Sequence, residues 1–345
     1  MRLRLMVVAA FTAMALVPAV FAYTTGLFPG PTQASAESAV APVSGVRAVT
    51  TLAWPKEALG LNATDTTVLW EQRDPSAAVT GLWTYDARSG ATEKLLGRSN
   101  LGKAAGFPSA TSDLVVWSAW TGRRGDGPPA IQAYDTASLR RWTVAQTGRD
   151  PIAAGDSVIW IAPGPAGGDD VIQGSNAVTD DEYSITADGH IRDIAAWGSW
   201  VAWISGRGAT GAVWAAAYHD ATRHRLAAAG TAVAIDQDRI VWAAAVGRHS
   251  SSIVAWDRRS SRSTVLCKVV GSVSSVSLSR RYVAWVTTRK ATGPQVWLYA
   301  FGTGKASPVS SAQSRQASPV IVAGKVYWAD DRSGHWELYA RSLQN

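Results

Sequence analysis

The chain has 345 residues, 47% of them hydrophobic and 17% charged, with 17 Trp and a formal net charge of +7. Disordered segments are poor in aromatics and rich in charge, so this is a folding sequence. Its single cysteine, Cys267, leaves no room for a disulfide scaffold or for Cys-x-x-Cys zinc sites, and its one long apolar run is N-terminal, which does not fit a polytopic membrane protein.

Arg2 and Arg4 precede an uncharged apolar stretch, Leu5 to Val17, which Pro18 breaks. Val20-Phe21-Ala22 then supplies small residues where a signal peptidase reads. This layout predicts a secretory signal peptide over 1–22, with Ala34-Ser35-Ala36 offering an alternative cleavage after residue 36. An extracellular or cell-envelope location follows, and membrane attachment is expected only through an uncleaved signal. Residues 23–44, dominated by Pro, Ser and Ala from Pro29 onward and without periodicity, read as a flexible spacer.

From there a short pattern, two apolar residues and a Trp, recurs seven times. It ends on Trp70, Trp117, Trp160, Trp203, Trp242, Trp285 and Trp328, at intervals of 47, 43, 43, 39, 43 and 43 residues. A small or polar turn stands before each copy, as in Thr64-Asp65 and Gly155-Asp156, with an apolar run such as Val233-Ala234-Ile235 ahead of most turns. After most Trp strands come a loop, an aromatic-rich strand such as Leu82 to Asp86, and a more polar closing strand such as Ala91 to Leu96.

Four short strands per unit of about 43 residues, without a sustained helical period, predict an all-β fold: a seven-bladed β-propeller of four-stranded blades over 45–345. The last unit has room for only three strands, whereas Val46 to Trp54 stands apolar and unassigned ahead of the first. Placed in the last blade, that N-terminal strand closes the ring and removes two unpaired sheet edges. Such closure would tie the termini together without a disulfide. The chain is expected to be a monomer.

The order of a Pro or small residue, an apolar strand, a polar turn, Val-x-Trp and a loop with Arg and Gly resembles the TolB-like β-propeller repeat, best in Pro151 to Pro163 and Pro319 to Gly334. WD40-like repeats share the architecture but match less well, since no Gly-His pair precedes the Trp strands. The resemblance implies a propeller and no particular activity. TolB's own N-terminal domain has no counterpart in the space available.

Seven tryptophans at one strand position imply packing between blades. Those off the ladder, Trp54, Trp120, Trp142 and Trp200, are the ones expected to meet a partner, Trp120 first because it opens a loop. The loops between second and third strands emerge on one face of a propeller. Six of them carry Arg: Arg73, Arg123 with Arg124, Arg207, Arg248, Arg289 with Lys290, and Arg332. The third carries Asp169 and Asp170 instead. Arg73, Arg123, Arg124, Arg207, Arg248, Arg289, Arg332 and Trp120 are therefore the candidate binding residues, for a protein or an anionic polymer. The alternative is that these arginines belong to the repeat and pair locally. No nucleic-acid partner is expected.

The sequence contains no Gly-x-Ser-x-Gly elbow, no His-Glu-x-x-His helix and no Gly-rich phosphate loop. No catalytic residue, metal ligand or cofactor is assigned, although His249 and His335 occupy the same class of loop. Arg124-Gly125-Asp126 reads as a chance adhesion-like triplet. The reading favoured is an exported, non-catalytic binding or scaffold propeller. The alternative is a propeller polysaccharide lyase or glycoside hydrolase working at the axial channel.

Overall fold

The computed structural model describes residues 45–52, 60–73, 79–97, 101, 104–122, 127–220, 222–247, 249–289, 293–310 and 314–343. The signal and spacer segments, Trp54, Arg123, Arg124, Arg248 and Lys290 lie outside them. The described chain is all-β, with 27 strands.

Strands follow one another as antiparallel neighbours. The first sheet holds β2 (Leu61–Ala63), β3 (Thr67–Arg73), β4 (Val79–Asp86) and β5 (Thr92–Gly97). The second holds β6 (Ala104–Ala110), β7 (Leu114–Trp120), β8 (Ala130–Asp135) and β9 (Arg141–Ala145), and the third β10 (Arg149–Ala154), β11 (Ser157–Ala162), β12 (Val171–Asn176) and β13 (Glu182–Thr186). A seven-stranded sheet follows: β14 (Ile191–Trp197), β15 (Trp200–Ser205), β16 (Gly211–Ala217), β17 (Arg223–Ile235), β18 (Arg239–Gly247), β19 (Ser250–Asp257) and β20 (Arg262–Val270). Next comes the sheet of β21 (Ser272–Leu278), β22 (Tyr282–Arg289), β23 (Gly293–Ala300) and β24 (Lys305–Pro308). The last joins β25 (Gln316–Val322), β26 (Lys325–Asp330) and β27 (Glu337–Ser342) to β1 (Val46–Thr51).

The seven-stranded sheet departs from the expectation of separate four-stranded units. β17 pairs with β16 through Arg223–Gly230 and with β18 through Gly230–Ile235, so one strand closes one repeat and opens the next. Gly230 is the residue shared by both pairings. A Cβ there would meet Val213 Cγ2 at 2.4 Å, which is why glycine stands at the junction. Losing the connection between these two repeats accounts for the short interval of 39 between Trp203 and Trp242.

β1 pairs antiparallel with β27, from Val46 opposite Arg341 to Thr51 opposite Glu337. The strand stops at Thr51, short of the Trp54 expected from sequence; Leu52 follows, buried, its N–H donating to Trp336 O at 2.8 Å. The first strands of successive repeats are neighbours: β2 with β6, β6 with β10, β10 with β14, β14 with β17, β17 with β21, β21 with β25, and β25 with β2. Side chains bridge some of these pairs. Ser109 Oγ accepts from Ala153 N (3.1 Å), Asp193 Oδ2 from Val233 N (2.8 Å), and Thr231 Oγ1 donates to Val273 O (2.8 Å). Three first strands carry a register shift at a residue with positive φ followed by proline: Phe107 (52°), Asp150 (49°) and Ser318 (50°). Proline has no N–H to offer a ladder, and a bulge at a sheet edge is where that is tolerated.

The core is divided among the sheet contacts, and every ladder tryptophan is buried, none more than 6% exposed. Each of the seven apolar clusters found among the described residues contains one of them, with side chains from its own repeat and the preceding one. Trp117 packs on Leu69, Leu82 and Leu96 of the first sheet, and Trp70 on Leu52, Val320 and Leu338 of the last. Within the seven-stranded sheet, Trp242 packs on Ala202, Ile204 and Val213 of the repeat before it.

Six of the seven indole N–H groups, all but that of Trp328, have no protein acceptor among the described residues. A missing hydrogen bond costs about 1–3 kcal/mol. Burying about 200 Å² of indole contributes about 5 kcal/mol. The ring's area therefore outweighs its polar edge. Truncating Trp203 (0% exposed) to Ala is expected to cost about 3–5 kcal/mol in urea unfolding, whereas Trp197→Ala (44% exposed) should shift stability by under about 1 kcal/mol.

Candidate functional site

The loops between second and third strands hold the arginines that the sequence singles out, and most of those described are engaged within the protein. Glu71 and Arg73 are alternate residues at the end of β3 and so share a face. Their side chains pair at 2.7 Å, both largely buried. Arg332 Nη2 binds Asp330 Oδ2 (2.5 Å) and Ser310 Oγ (2.9 Å), and its guanidinium stacks on the Tyr339 ring at 4.2 Å. Arg289 Nε donates to Val270 O (3.1 Å) and stacks on Trp297. Arg207 differs: it is exposed, at a tip where Gly206 (φ 152°) and Gly208 (φ 123°) flank it.

Asp330 is the centre of the tightest of these groups. It is fully buried and accepts from Ser314 Oγ (2.6 Å), Trp328 Nε1 (3.0 Å), Arg332 N (3.0 Å) and the Arg332 guanidinium. Burial alone would raise its pKa, but the hydrogen bonds from Arg332, Ser314 and Trp328, with the Arg332 charge, hold it below the usual carboxylate value.

Of the aromatics proposed for a partner, Trp120 is buried and Trp142 and Trp200 are half-buried against protein groups. Trp120, expected to meet a partner, is 7% exposed, and its Nε1 donates to Gly127 O at 3.2 Å. Trp200 packs against Trp256, His224 and the Arg258 guanidinium. Trp142, half-buried on β9, lies under Arg140. Cys267 is half-buried on β20, and burial pushes its thiol up to about 12, so it is an inert packing residue.

A cluster that the sequence does not announce joins β10, the following loop and β14. Arg149 binds Asp150 and Asp170, both at 2.7 Å, and donates to Ile191 O (2.8 Å). Asp170 Oδ2 also accepts from Ile191 N (2.7 Å) and lies 2.9 Å from His190 Nδ1. The acidic sector expected from Asp169 and Asp170 is thus half internal: Asp169 is exposed, while Asp170 is buried and neutralised by Arg149. Asp193, two residues beyond Ile191 on β14, accepts from Val233 N and from Ile194 N (3.0 Å). Burial of this carboxyl, opposed by those two bonds and assisted by the Asp150 charge, pushes its pKa up to about 7. His249 and His335 are both exposed; His335 Nε2 stands 3.6 Å from Glu337 Oε1. No group of three or more potential metal-ligating side chains occurs among the described residues.

Two cavities bear on binding. One, of about 420 Å³, lies where the starts of β21 and β25 approach Gly60, ahead of β2; Ser274, Ser275, Pro294, Gln316 and Trp336 line it. The other, of about 310 Å³, is at the seam between β1 and the β4–β5 turn and is ringed by Arg47, Arg88 and Lys325. Lys325 Nζ there donates to Ala87 O (3.2 Å).

No family model and no curated protein sequence matches the chain. Solved structures do. The β-propeller domain of the Trilobed protease from Pyrococcus furiosus, described as having an open velcro topology, matches with a TM-score of 0.60 at 10% identity, over 82% of this chain and 94% of that one. An oligogalacturonate lyase in complex with manganese matches with a TM-score of 0.57 at 12% identity, over 87% and 91%. TolB from Acinetobacter baumannii matches with a TM-score of 0.51 at 14% identity, over 81% of this chain and 64% of that one, so the chain spans under two thirds of TolB. The chain is similar in fold to TolB-like β-propellers, and the neighbours include both enzymes and TolB.

Two titrations separate structural from binding carboxylates. Arg332→Ala leaves a buried carboxylate without its counter-charge and should cost about 3 kcal/mol in urea unfolding. Because the folded pKa of Asp330 is depressed, its contribution is full above about pH 4 and is lost as pH falls further. For Asp193 the sign reverses. The folded pKa is raised, so the folded state holds an extra proton between about pH 4 and 7 and stability falls as pH rises through that window. Asp193→Asn should flatten that slope relative to wild type in melts at successive pH values; parallel curves would contradict it.

Proposed function

We propose that residues 45–345 form a closed seven-bladed propeller, sealed by the N-terminal strand, that is exported and serves as a non-catalytic binding module at the cell envelope. Support for the ring comes from three observations: β1 pairs with β27, the first strands run in order and return from β25 to β2, and a ladder tryptophan lies in each of seven clusters. In such a ring the first strands line the axis, and the arginine-bearing loops share one end with the starts of those strands.

The observation that carries the binding reading is the fate of the charged groups at that end. An enzyme needs titratable side chains converging on one accessible point. Here Asp193 spends its oxygens on two backbone N–H groups, and Asp330 and Asp170 are buried in ion pairs. Among the described arginines of these loops, Arg207 is the exposed one. That suits a surface for a protein or an anionic polymer, held weakly by charge and more by shape.

The enzyme alternative has one observation in its favour. Asp170 and His190 stand as an orienting carboxylate beside an exposed imidazole, as a general base would require. A hydrolytic or eliminative activity that disappears in His190→Ala would establish it.

The binding reading is tested with the chain lacking residues 1–36 and a soluble anionic polymer, polyglutamate, over a salt series. Affinity should fall with salt, and Arg207→Ala should weaken it about threefold or more with an unchanged melting temperature. Binding that ignores salt and Arg207 would overturn the charge-assisted surface. Closure is tested separately: deleting residues 45–52 strips β1 from β27 and should lower the melting temperature by roughly 10 °C or more, since several kcal/mol of pairing and the burial of Leu52 are lost.

A further inference from the structure

The 310 Å³ cavity lies where the last sheet meets the first, at the opposite end of those sheets from their arginine-bearing loops. Three segments of chain come together there. β1 begins beside the end of β27, with Val46 opposite Arg341. β26 begins at Lys325, and the β4–β5 turn follows Asp86. Arg47 and Lys325 come from the last sheet and Arg88 from the first, so both sheets build the cavity. The same two sheets touch through the Tyr85 and Tyr327 rings, 5.7 Å apart.

The cations around the cavity are within reach of a ligand. Arg47 and Arg88 are exposed. Lys325 is half-buried, and its Nζ donates to Ala87 O at 3.2 Å. That acceptor is neutral: it fixes the ammonium in place and leaves two of its three N–H bonds and all of its charge to spend. The carboxylate of the turn, Asp86, is committed to the turn itself. Its Oδ1 accepts from Arg88 N (2.9 Å), Ser89 N (2.6 Å) and Ser89 Oγ (2.9 Å), and its charge offsets only part of the three. Like charges held around one cavity repel, so an anion placed among them gains the attraction and relieves the repulsion.

The arrangement selects shape as well as sign. A carboxylate presents two oxygens in one plane and is satisfied by a single guanidinium fork. A phosphate presents its oxygens as a tetrahedron, so two guanidinium groups and an ammonium on separate segments each find one. Ser89 and Gly90, also in the lining, are exposed and leave a way out for whatever the phosphate is esterified to.

We infer that this cavity binds a phosphate group, free or esterified, and that the bound group clasps the last sheet to the first. Arg47 and Lys325 hold it from one side of the seam and Arg88 from the other. The site is separate from the surface around Arg207 and does not depend on the function read for that surface.

The full chain is titrated by calorimetry with glycerol 3-phosphate and with acetate at matched ionic strength. Glycerol 3-phosphate should bind about tenfold tighter or more, as an additional charge-assisted contact implies. Arg47→Ala and Arg88→Ala should each weaken it about tenfold, and Arg207→Ala should leave it unchanged. At about ten times its Kd the ligand should raise the melting temperature by roughly 2 °C, and the rise should largely vanish in Arg88→Ala. Phosphate salts also stabilise proteins by exclusion from their surfaces, so the difference between wild type and Arg88→Ala is the quantity read. Vesicles distinguish the sources of the phosphate. Retention on phosphatidylglycerol over phosphatidylcholine vesicles that is lost in Arg88→Ala assigns the site to a lipid headgroup, whereas glycerol 3-phosphate binding without that difference assigns it to a soluble phosphate. Equal affinity for acetate, undiminished binding by both arginine variants, or a melting shift that persists in Arg88→Ala would each overturn the site.

Discussion

An indole lies between each pair of neighbouring repeats, and the rest of the molecule is arranged around that wedge. Two sheets packed face to face need side chains to fill the space between them, and a tryptophan fills more of it than any other residue. Placing it on the second strand of each repeat puts it at mid-sheet, where Val, Leu and Ile of the preceding sheet close over it. The indole nitrogen is mostly left without a protein acceptor, so area rather than hydrogen bonding decides the position. In the last repeat Asp330 stands two residues beyond Trp328 and accepts from its indole N–H. That exception couples the packing wedge to the ion pair with Arg332, which is how one arginine of the loop set comes to be structural.

Stacked sheets leave a second problem, the free edge of each first strand. Backbone groups there have no ladder partner within the sheet, and burying them unpaired is costly. Side chains one repeat away supply some of the missing bonds, Ser109 to Ala153 N and Asp193 to Val233 N. The charge on Asp193 is the cost of that arrangement, visible as its raised pKa. The edges at the two ends of the chain are met differently, by β1 lying along β27 and by Lys325 reaching Ala87 O of the first repeat. A chain with one cysteine has no disulfide with which to join its ends.

Much of this was legible before any coordinates. The tryptophan spacing announces the repeats because a large residue at a fixed strand position is buried whatever its neighbours are. The short interval of 39 falls where β17 runs through from one repeat into the next. Loop arginines were legible as residue types, and their partners were within reach too. Glu71 and Asp330 each stand two residues before an arginine, and alternate residues of a strand share a face. The group of Arg149, Asp170 and His190 was not legible. Its members are 21 and 20 residues apart in sequence: Arg149 and Asp170 belong to one repeat and His190 to the entry of the next, a relation that no local pattern encodes.

The same distinction explains why architecture and function separate so sharply in this chain. Packing repeats itself, so seven copies of one solution reinforce each other in the sequence. Binding does not repeat. Nor do the buried polar residues: Gln316 and Ser275 stand on different first strands and come together only where β21 meets β25. A buried amide whose oxygen is already committed to Val296 N is a poor choice for packing alone, since an apolar residue of similar size would leave no orphaned donor. Its presence on a strand otherwise chosen for burial is a local inconsistency, found by asking which polar atoms the fold fails to satisfy rather than which residues stand out on the surface.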